Sequence, residues 1–157
     1  MRIIILMEKT RSLHKFFPSS EIDIDSLPVL GFPEPGRIFG GFQNIFANET
    51  TPTNELTFGI ARFPARTSHQ TAFEALHRHK PAEFYHILSG HMVIILEGIR
   101  HRVTTGHAIY IPGDAEHGFC NPSTEEDLVF SWGFATDGFS NIEYKWSEKQ
   151  PDWSKVE

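Results

Sequence analysis

Cysteine is almost missing from this chain, because Cys120 is the single one among 157 residues. One cysteine excludes an intramolecular disulfide and a cysteine-rich zinc site. Positive charge is also scarce, since 14 lysines and arginines stand against 20 aspartates and glutamates, for a formal net charge of −6. This acidic balance argues against a general binder of nucleic acid or of an anionic membrane surface, because both functions need a basic face.

Long apolar runs are missing as well. The run at residues 3–7 (IIILM) is shorter than a signal-peptide core, and Glu8 and Lys9 end it. No stretch approaches the ~20 apolar residues of a membrane-spanning helix. We therefore expect a cytoplasmic protein that does not insert into a membrane, with residues 3–7 forming a strand that joins the sheet or a neighbouring subunit.

Two common catalytic signatures are missing too. The chain has neither a phosphate-binding glycine loop followed by Lys and Ser or Thr, nor a Gly-x-Ser-x-Gly nucleophile motif. These absences argue against the nucleotide-binding and serine-hydrolase classes that use those motifs.

Histidine, phenylalanine, glycine and proline are plentiful, with 9, 14, 12 and 10 residues respectively. Many aromatic residues between many turn residues indicate short strands rather than long helices. Glu97-Gly98 is a typical two-residue hairpin turn. The spacing predicts an all-β fold, an antiparallel sandwich or barrel. The strand candidates lie at residues 37–48, 56–63, 73–79, 83–89, 91–96, 99–103, 108–111, 117–120 and 128–134.

The chain divides into three parts by composition. Prolines and polar residues at 1–36 predict an irregular N-terminal extension, and the strand candidates at 37–136 predict one domain. Residues 137–157 form a tail with several aromatic side chains, which we expect to pack on the domain or on a partner subunit.

His77 and His79 carry the first indication of chemistry. Residues two apart on a strand project from the same face, so both imidazoles point the same way. Glu83 follows after a turn at Pro81, and a facing carboxylate on a neighbouring strand can reach the same ion. A His-x-His pair on its own is also typical of a surface edge, but the strand context and the nearby Glu83 favour a site for a divalent transition metal.

The same residues resemble a known family. The stretch His77-Arg78-His79-Lys80-Pro81-Ala82-Glu83, followed by Gly90, is similar to the first conserved motif of the cupins. Gly106, Pro112, His117 and Asn121 are similar to the second motif. Two turn positions differ from the pattern, because Thr71 stands where a glycine is expected and the second motif has Pro112-Gly113-Asp114.

The resemblance implies a small antiparallel β-barrel of the jelly-roll type that holds one metal ion, often as a homodimer. It also implies four metal ligands, which are His77, His79, Glu83 and His117. The ligand set suits Fe, Zn, Mn, Ni or Cu and does not distinguish among them. Cys120 lies an odd number of residues from His117, so we expect it outside the barrel as a small buried hydrophobic residue.

Tyr85 makes the resemblance more specific. A tyrosine two residues after the metal-binding glutamate is similar to small cupin lyases that cleave dimethylsulfoniopropionate, in which a tyrosine near the metal takes a proton from the carbon beside the bound carboxylate. Metal coordination acidifies that proton, and a phenol near a cation is a usable base. A packing role in the barrel is the alternative for Tyr85.

Further residues are candidates for a substrate pocket. Arg62 is the basic residue proposed to bind a substrate carboxylate in a bidentate manner. Alternating aromatic positions on one strand can line a cavity, although such a face is more often simply core. The aromatic candidates for the pocket wall are Tyr110, Phe119, Phe130 and Trp132.

Three functions follow from these features. The first is a metal-dependent lyase or isomerase that abstracts a proton from a small metal-bound organic substrate. The second is a cupin dioxygenase, in which the same ligands bind Fe(II) and activate oxygen. The third is a cupin that binds a small molecule without turning it over.

Overall fold

A computed structural model describes residues 22–51, 53 and 55–157. The strand predicted at residues 3–7 lies outside this described part. The eleven strands are β1 (Ile38–Phe39), β2 (Gly41–Phe46), β3 (Thr57–Phe63), β4 (Ala72–Arg78), β5 (Glu83–Ser89), β6 (His91–Leu96), β7 (Ile99–Thr104), β8 (Ala108–Ile111), β9 (His117–Asn121), β10 (Leu128–Phe134) and β11 (Lys145–Trp146). Short 3₁₀ turns lie at Ile24–Ser26, Phe139–Asn141 and Trp153–Lys155.

The strands form two antiparallel sheets. One sheet has the order β2-β3-β10-β5-β8, and the other has the order β1-β4-β9-β6-β7, with β11 also paired to β4. The predicted all-β fold is therefore confirmed. The sheets pack as a jelly roll and do not close into a strict barrel.

Local sequence accounts for the tightest hairpin. β6 and β7 are joined by Glu97 and Gly98, with φ values of 48° and 77°. A two-residue turn with two positive φ angles matches the twist of the flanking strands, and glycine accepts such an angle without strain. The Glu97-Gly98 hairpin is confirmed.

The main core lies between the two sheets and follows the strand period of two. Phe130, Trp132 and Phe134 alternate along β10 and are all buried in this core, and Phe119 lies opposite them on β9. A second, smaller cluster lies on the outer face of the β4–β9–β6 sheet. The inner core surrounds the site described below.

The C-terminal tail packs on the second sheet. Lys145 and Trp146 pair with the end of β4, and Trp153 stacks on Phe73 with ring centroids 5.7 Å apart. Cys120 is fully buried in this outer cluster, as its position relative to His117 predicts. No helix in the part of the chain that the structure describes is long and apolar enough to cross a membrane.

Candidate metal centre and cavity

Three histidines meet where β4 ends and β9 begins. His77 lies directly opposite His117 in the strand register, and His79 follows one residue after β4 ends. One side-chain nitrogen from each ring lies within 4.8 Å of the others, and all three residues are buried. The His-x-His spacing and the second motif therefore bring their histidines to one point.

Backbone carbonyl groups orient each ring. The Nδ1 atoms of His77, His79 and His117 lie 2.8, 2.8 and 2.9 Å from the carbonyl oxygens of Ala75, Pro81 and Ala115. A neutral imidazole that donates its Nδ1–H to a carbonyl keeps the Nε2 lone pair free, as a metal ligand must. The Nε2 atoms of His77 and His117 are buried and have no hydrogen-bond partner among the described residues. This donor set fits a metal ion.

Glu83 contributes a carboxylate from the first position of β5. Its Oε2 atom lies 3.2 Å from Nε2 of His79 and 3.3 Å from Nε2 of His117. Burial raises the pKa of Glu83, but the close contacts and charges of His117 and His79 outweigh it and lower that pKa. A cation between these atoms would replace the proton that the His79–Glu83 contact otherwise holds.

Burial also changes the pKa values of His77 and His79. Desolvation, followed by the charge of His117, lowers the pKa of His77 well below its usual value, which keeps His77 neutral and able to bind a metal. Desolvation lowers the pKa of His79 as well, but its contacts with Glu83 prevail and raise it. These two directions favour an ion pair between His79 and Glu83 in the absence of a cation.

A second carboxylate, that of Glu74, faces the same cavity and was not predicted. Its Oε1 atom lies 3.8 Å from Nε2 of His77. Three residues from Glu74 to His77 span the same length as two from Phe119 to His117, so β4 contains a β-bulge. The extra residue brings positions 74 and 77 to one face, whereas the regular period of two places them on opposite faces.

Gly118 makes room for this bulge. A Cβ atom on Gly118 would lie 2.8 Å from the Leu76 nitrogen and 2.9 Å from the Glu74 carbonyl oxygen. Such a contact is too close for any larger residue unless the bulge moves. The glycine beside His117 therefore allows the backbone that positions Glu74 and His77.

Tyr144 from the C-terminal tail also reaches the site. Its ring lies 4.8 Å from that of His77 and 5.4 Å from that of His79, measured between centroids. The sequence predicts only that the tail aromatics pack on something, and no motif identifies Tyr144. Trp146 completes this side, with its ring 5.2 Å from the ring of His77.

A small cavity lies beside the histidines, with Glu83 and Tyr144 in its lining. Three of the proposed site residues, Tyr85, Phe130 and Trp132, line this cavity. The complete lining, mostly aromatic, is Phe32, Ile38, Phe42, Ala61, Phe63, Glu74, Glu83, Tyr85, Phe130, Trp132, Phe139 and Tyr144.

Two predicted pocket residues need correction. Arg62 is half exposed and lies 3.8 Å from Asp25 on the outer side, because its neighbours Ala61 and Phe63 take the inward positions of β3. Tyr110 is 68% exposed on β8, on the outer face of the sheet. Neither residue lines the cavity.

Phe119, the remaining aromatic candidate, is close to the cavity but does not line it. It is fully buried and packs behind the wall, with its ring 5.7 Å from that of Tyr85 and 5.2 Å from that of Phe130. Phe119 therefore supports two lining residues and is not itself among them.

The two tyrosines of the cavity share one electrostatic environment. Burial, and then the charges of Glu83 and Glu74, raise the pKa of Tyr85 well above its usual value. The same causes raise the pKa of Tyr144. Both phenols are thus protonated without a cation nearby, and a cation would offset the charges of Glu83 and Glu74 and lower both pKa values.

Comparison with known proteins identifies relatives of this chain. The cupin-domain family model matches residues 66–134. The dimethylsulfoniopropionate lyase DddW of Ruegeria pomeroyi is 34% identical over 130 residues, which are 83% of this chain and 81% of that lyase.

Solved structures share the fold at lower identity. The polyketide cyclase RemF of Streptomyces resistomycificus superposes with a TM-score of 0.67 at 16% identity, over 82% of this chain and 87% of the cyclase. A chain from the structures of the DMSP lyases RdDddP and RnDddQII gives a TM-score of 0.61 at 13% identity, over 78% of this chain and 63% of the other. From the relative that is 34% identical over most of both chains, together with these motifs, it follows that the chain belongs to the cupin superfamily.

Proposed function

We propose that this protein is a metal-dependent lyase that cleaves dimethylsulfoniopropionate. The observation that carries the proposal is the group of three buried histidines, two of them with unpartnered Nε2 atoms, beside a cavity that Tyr85 lines. The similarity to DddW over most of both chains supports this substrate.

The residues that would hold the ion are His77, His79, Glu83 and His117. Their nitrogen and oxygen atoms suit Fe, Zn, Mn, Ni or Cu. When bound, a divalent ion supplies a positive charge that binds a carboxylate, acidifies the neighbouring C–H bond and favours the ionised form of a nearby phenol.

Tyr85 would act as the proton acceptor. The proton leaves the carbon beside the substrate carboxylate for the Oη atom of Tyr85, and the electron pair of that C–H bond becomes the new C=C bond. The C–S bond breaks with its electrons on sulfur. The products are acrylate and dimethyl sulfide, and Tyr85 then releases the proton to solvent.

The aromatic lining would serve this step in two ways. Phe130 and Phe119 pack against the ring of Tyr85 and hold the phenol in place. The apolar wall also keeps water away from the reacting carbon, which strengthens the electrostatic interactions inside.

Replacing each cavity tyrosine by phenylalanine tests the assignment. With stoichiometric metal confirmed by elemental analysis, we expect Tyr85→Phe to lower kcat by at least about a hundredfold. Tyr144→Phe is the matched control, because it removes a second buried hydroxyl from the same cavity, and kcat should fall by less than tenfold. Dimethyl sulfide and acrylate should appear in equal amounts without O2.

Other outcomes would contradict the proposal. Loss of activity in Tyr144→Phe with retention in Tyr85→Phe would move the proton acceptor to Tyr144. Strict consumption of oxygen would favour the dioxygenase. Tight binding of the substrate without turnover would favour the non-catalytic cupin. Cytoplasmic localisation and a homodimer stay predictions from the sequence.

A further inference from the structure

A row of aromatic side chains crosses the outer face of the β2–β3–β10–β5–β8 sheet. Each strand contributes one member, and the strand register joins Phe46 to Phe58, Gly133, Phe84 and Tyr110 in turn. The residues next to Gly133 and Phe84 in the chain line the cavity, so the row faces the other way. We call the four aromatic residues and the glycine between them the aromatic row.

The rings of the aromatic row pack on one another across three strands. The ring centroids of Phe46 and Phe58 are 5.9 Å apart, and those of Phe58 and Phe84 are 6.5 Å apart, with stacked planes. A Cβ atom on Gly133 would lie 2.7 Å from Cε1 of Phe84. The glycine therefore lets the ring of Phe84 lie across β10 and approach Phe58.

The aromatic row is exposed although its side chains are apolar. Phe46 and Phe84 are 37% and 38% exposed, and Tyr110 is 68% exposed. At about 200 Å² for a large aromatic side chain, these fractions leave roughly 300 Å² of aromatic surface in contact with water. The other sheet differs, because Trp153 and Val156 of the tail cover its outer face. The aromatic row has no comparable cover among the described residues.

The size of this surface favours a cover from the same chain. A stable interface between two proteins buries about 800 Å² on each partner, more than twice what the row offers. A segment tethered to the domain needs less contact area, because its effective concentration is in the millimolar range. A short apolar segment of this chain is therefore a better match for the row than a second copy.

The described part of the chain begins on the same side of this sheet. The turn at Ile24–Ser26 lies against β2, where Nε2 of Gln43 donates to a carbonyl oxygen of the turn at 2.7 Å. Asp25 lies 3.8 Å from Arg62 on the outer face. Arg62 is four residues from Phe58 along β3, a distance of about 13 Å. Residues 1–21 therefore join the described chain near the aromatic row.

Residues 1–21 lie outside the described part of the chain, and their sequence contains an apolar run. This run, IIILM at residues 3–7, has five large apolar side chains in succession. Residues 8–21 connect it to Ile22 and can span up to about 45 Å. The row is about 19 Å across, because it crosses five strands at ~4.8 Å spacing. The run is thus long enough, apolar enough and near enough to cover the row.

We propose that the aromatic row is the docking site of residues 3–7 of the same chain. Removal of apolar side chains on both sides of the contact from water drives the docking. The sequence predicts that this run joins either the sheet or a neighbouring subunit, and the proposal selects the domain of its own chain. It is independent of the proposed lyase, because the row and the cavity lie on opposite faces of the sheet.

The reactivity of one introduced thiol in the full chain measures whether the row is covered. Cys120, the single native cysteine, is fully buried, so a surface cysteine is the reactive thiol. His86→Cys places it two residues from Phe84 on the same face of β5, and Thr124→Cys places it in an exposed turn as the matched control. Dithionitrobenzoate should label position 86 at least about tenfold more slowly than position 124.

Charged residues in the run should remove this protection. Ile4→Asp together with Leu6→Asp, in the His86→Cys chain, should raise the labelling rate about tenfold, because carboxylates are unfavourable against buried aromatic rings. Thr10→Asp together with Ser12→Asp adds the same charge outside the run and should leave position 86 protected. One reactive thiol per chain shows that each variant is folded, because Cys120 stays buried.

Three results would overturn the proposal. The first is labelling at position 86 as fast as at position 124 in the chain with an unchanged run. The second is protection that persists in the variant with Ile4→Asp and Leu6→Asp. The third is protection that increases with protein concentration together with a dimer in sedimentation, because the row would then bind a second copy. A contact within one chain gives a labelling rate that does not depend on protein concentration.

Discussion

The two faces of strand β4 have opposite character although they share one backbone. The inner face presents Glu74 to the cavity and His77 to the other two histidines. The outer face presents Phe73 and Leu76 to an apolar cluster with Trp153. Polar groups that suit a metal ion are concentrated on one side, and the packing on the other side stabilises the strand that carries them. The division shows how a destabilising site can be supported by a cluster that does not touch it.

The β-bulge makes contacts that bear on both faces of the strand. Its Ala75 carbonyl accepts the Nδ1–H of His77, and the tail residue Gln150 binds both backbone groups of Leu76. The Leu76 nitrogen donates to Oε1 of Gln150 at 2.7 Å, and Nε2 of Gln150 donates to the Leu76 oxygen at 3.0 Å. The tail thus satisfies backbone groups that a regular strand partner would otherwise pair.

The inner face should respond most strongly to loss of a ligand. His77→Ala removes one Nε2 donor, so we expect metal content well below stoichiometric and activity lower by more than about a hundredfold. Elemental analysis and the dimethyl sulfide assay measure both effects. His86→Ala is the matched control, because His86 is exposed on β5. Full metal content in His77→Ala would contradict the assignment of the metal centre.

The outer face should respond in stability rather than chemistry. Trp153→Ala removes a buried ring that stacks on Phe73, which should lower the free energy of unfolding by about 3–5 kcal/mol. Chemical denaturation measures this loss, and Trp153→Phe should recover much of it.

The same Trp153→Ala variant tests whether the two faces are independent. At a temperature where the variant is folded, its metal content and KM should equal those of the wild type. A loss of metal in the folded variant would show that the outer cluster sets the positions of the ligands directly.

Gly118→Ala should affect both stability and metal binding, and its effects should be smaller than those of the variants above. The added methyl group meets the backbone of the bulge, so we expect a loss of about 1–3 kcal/mol in stability. Because the bulge also orients His77, metal affinity should fall in the same variant, as titration with a chelator would measure. Lower stability with unchanged metal affinity would contradict the link between the bulge and the ligand.

The regular features of the chain were predictable from the sequence because they follow a period. Alternation on β10 puts Phe130 and Trp132 on one face of the strand, and both side chains point into the core. The Glu97-Gly98 dipeptide correctly placed a hairpin. The same alternation would have placed Arg62 outside, since Ala61 and Phe63 are its apolar neighbours. Its assignment to the pocket rested on the chemistry of carboxylate binding alone.

Glu74 and Tyr144 escaped prediction for different reasons. A β-bulge inserts one residue, and nothing in the local composition of β4 marks where the period changes. Tyr144 lies in a tail without strand alternation, 27 residues after His117, and only the pairing of Lys145 and Trp146 with β4 brings it over the histidines.

The sequence by itself determined the strand succession and the histidines that meet at one point, because alternation and turn residues act over a few positions. Tertiary structure decided the shape and charge of the cavity. A bulge aims Glu74 inward, the returning tail adds Tyr144, and Arg62 stays outside. These positions depend on contacts between residues far apart in the chain, and such contacts form only when the two sheets and the tail pack together.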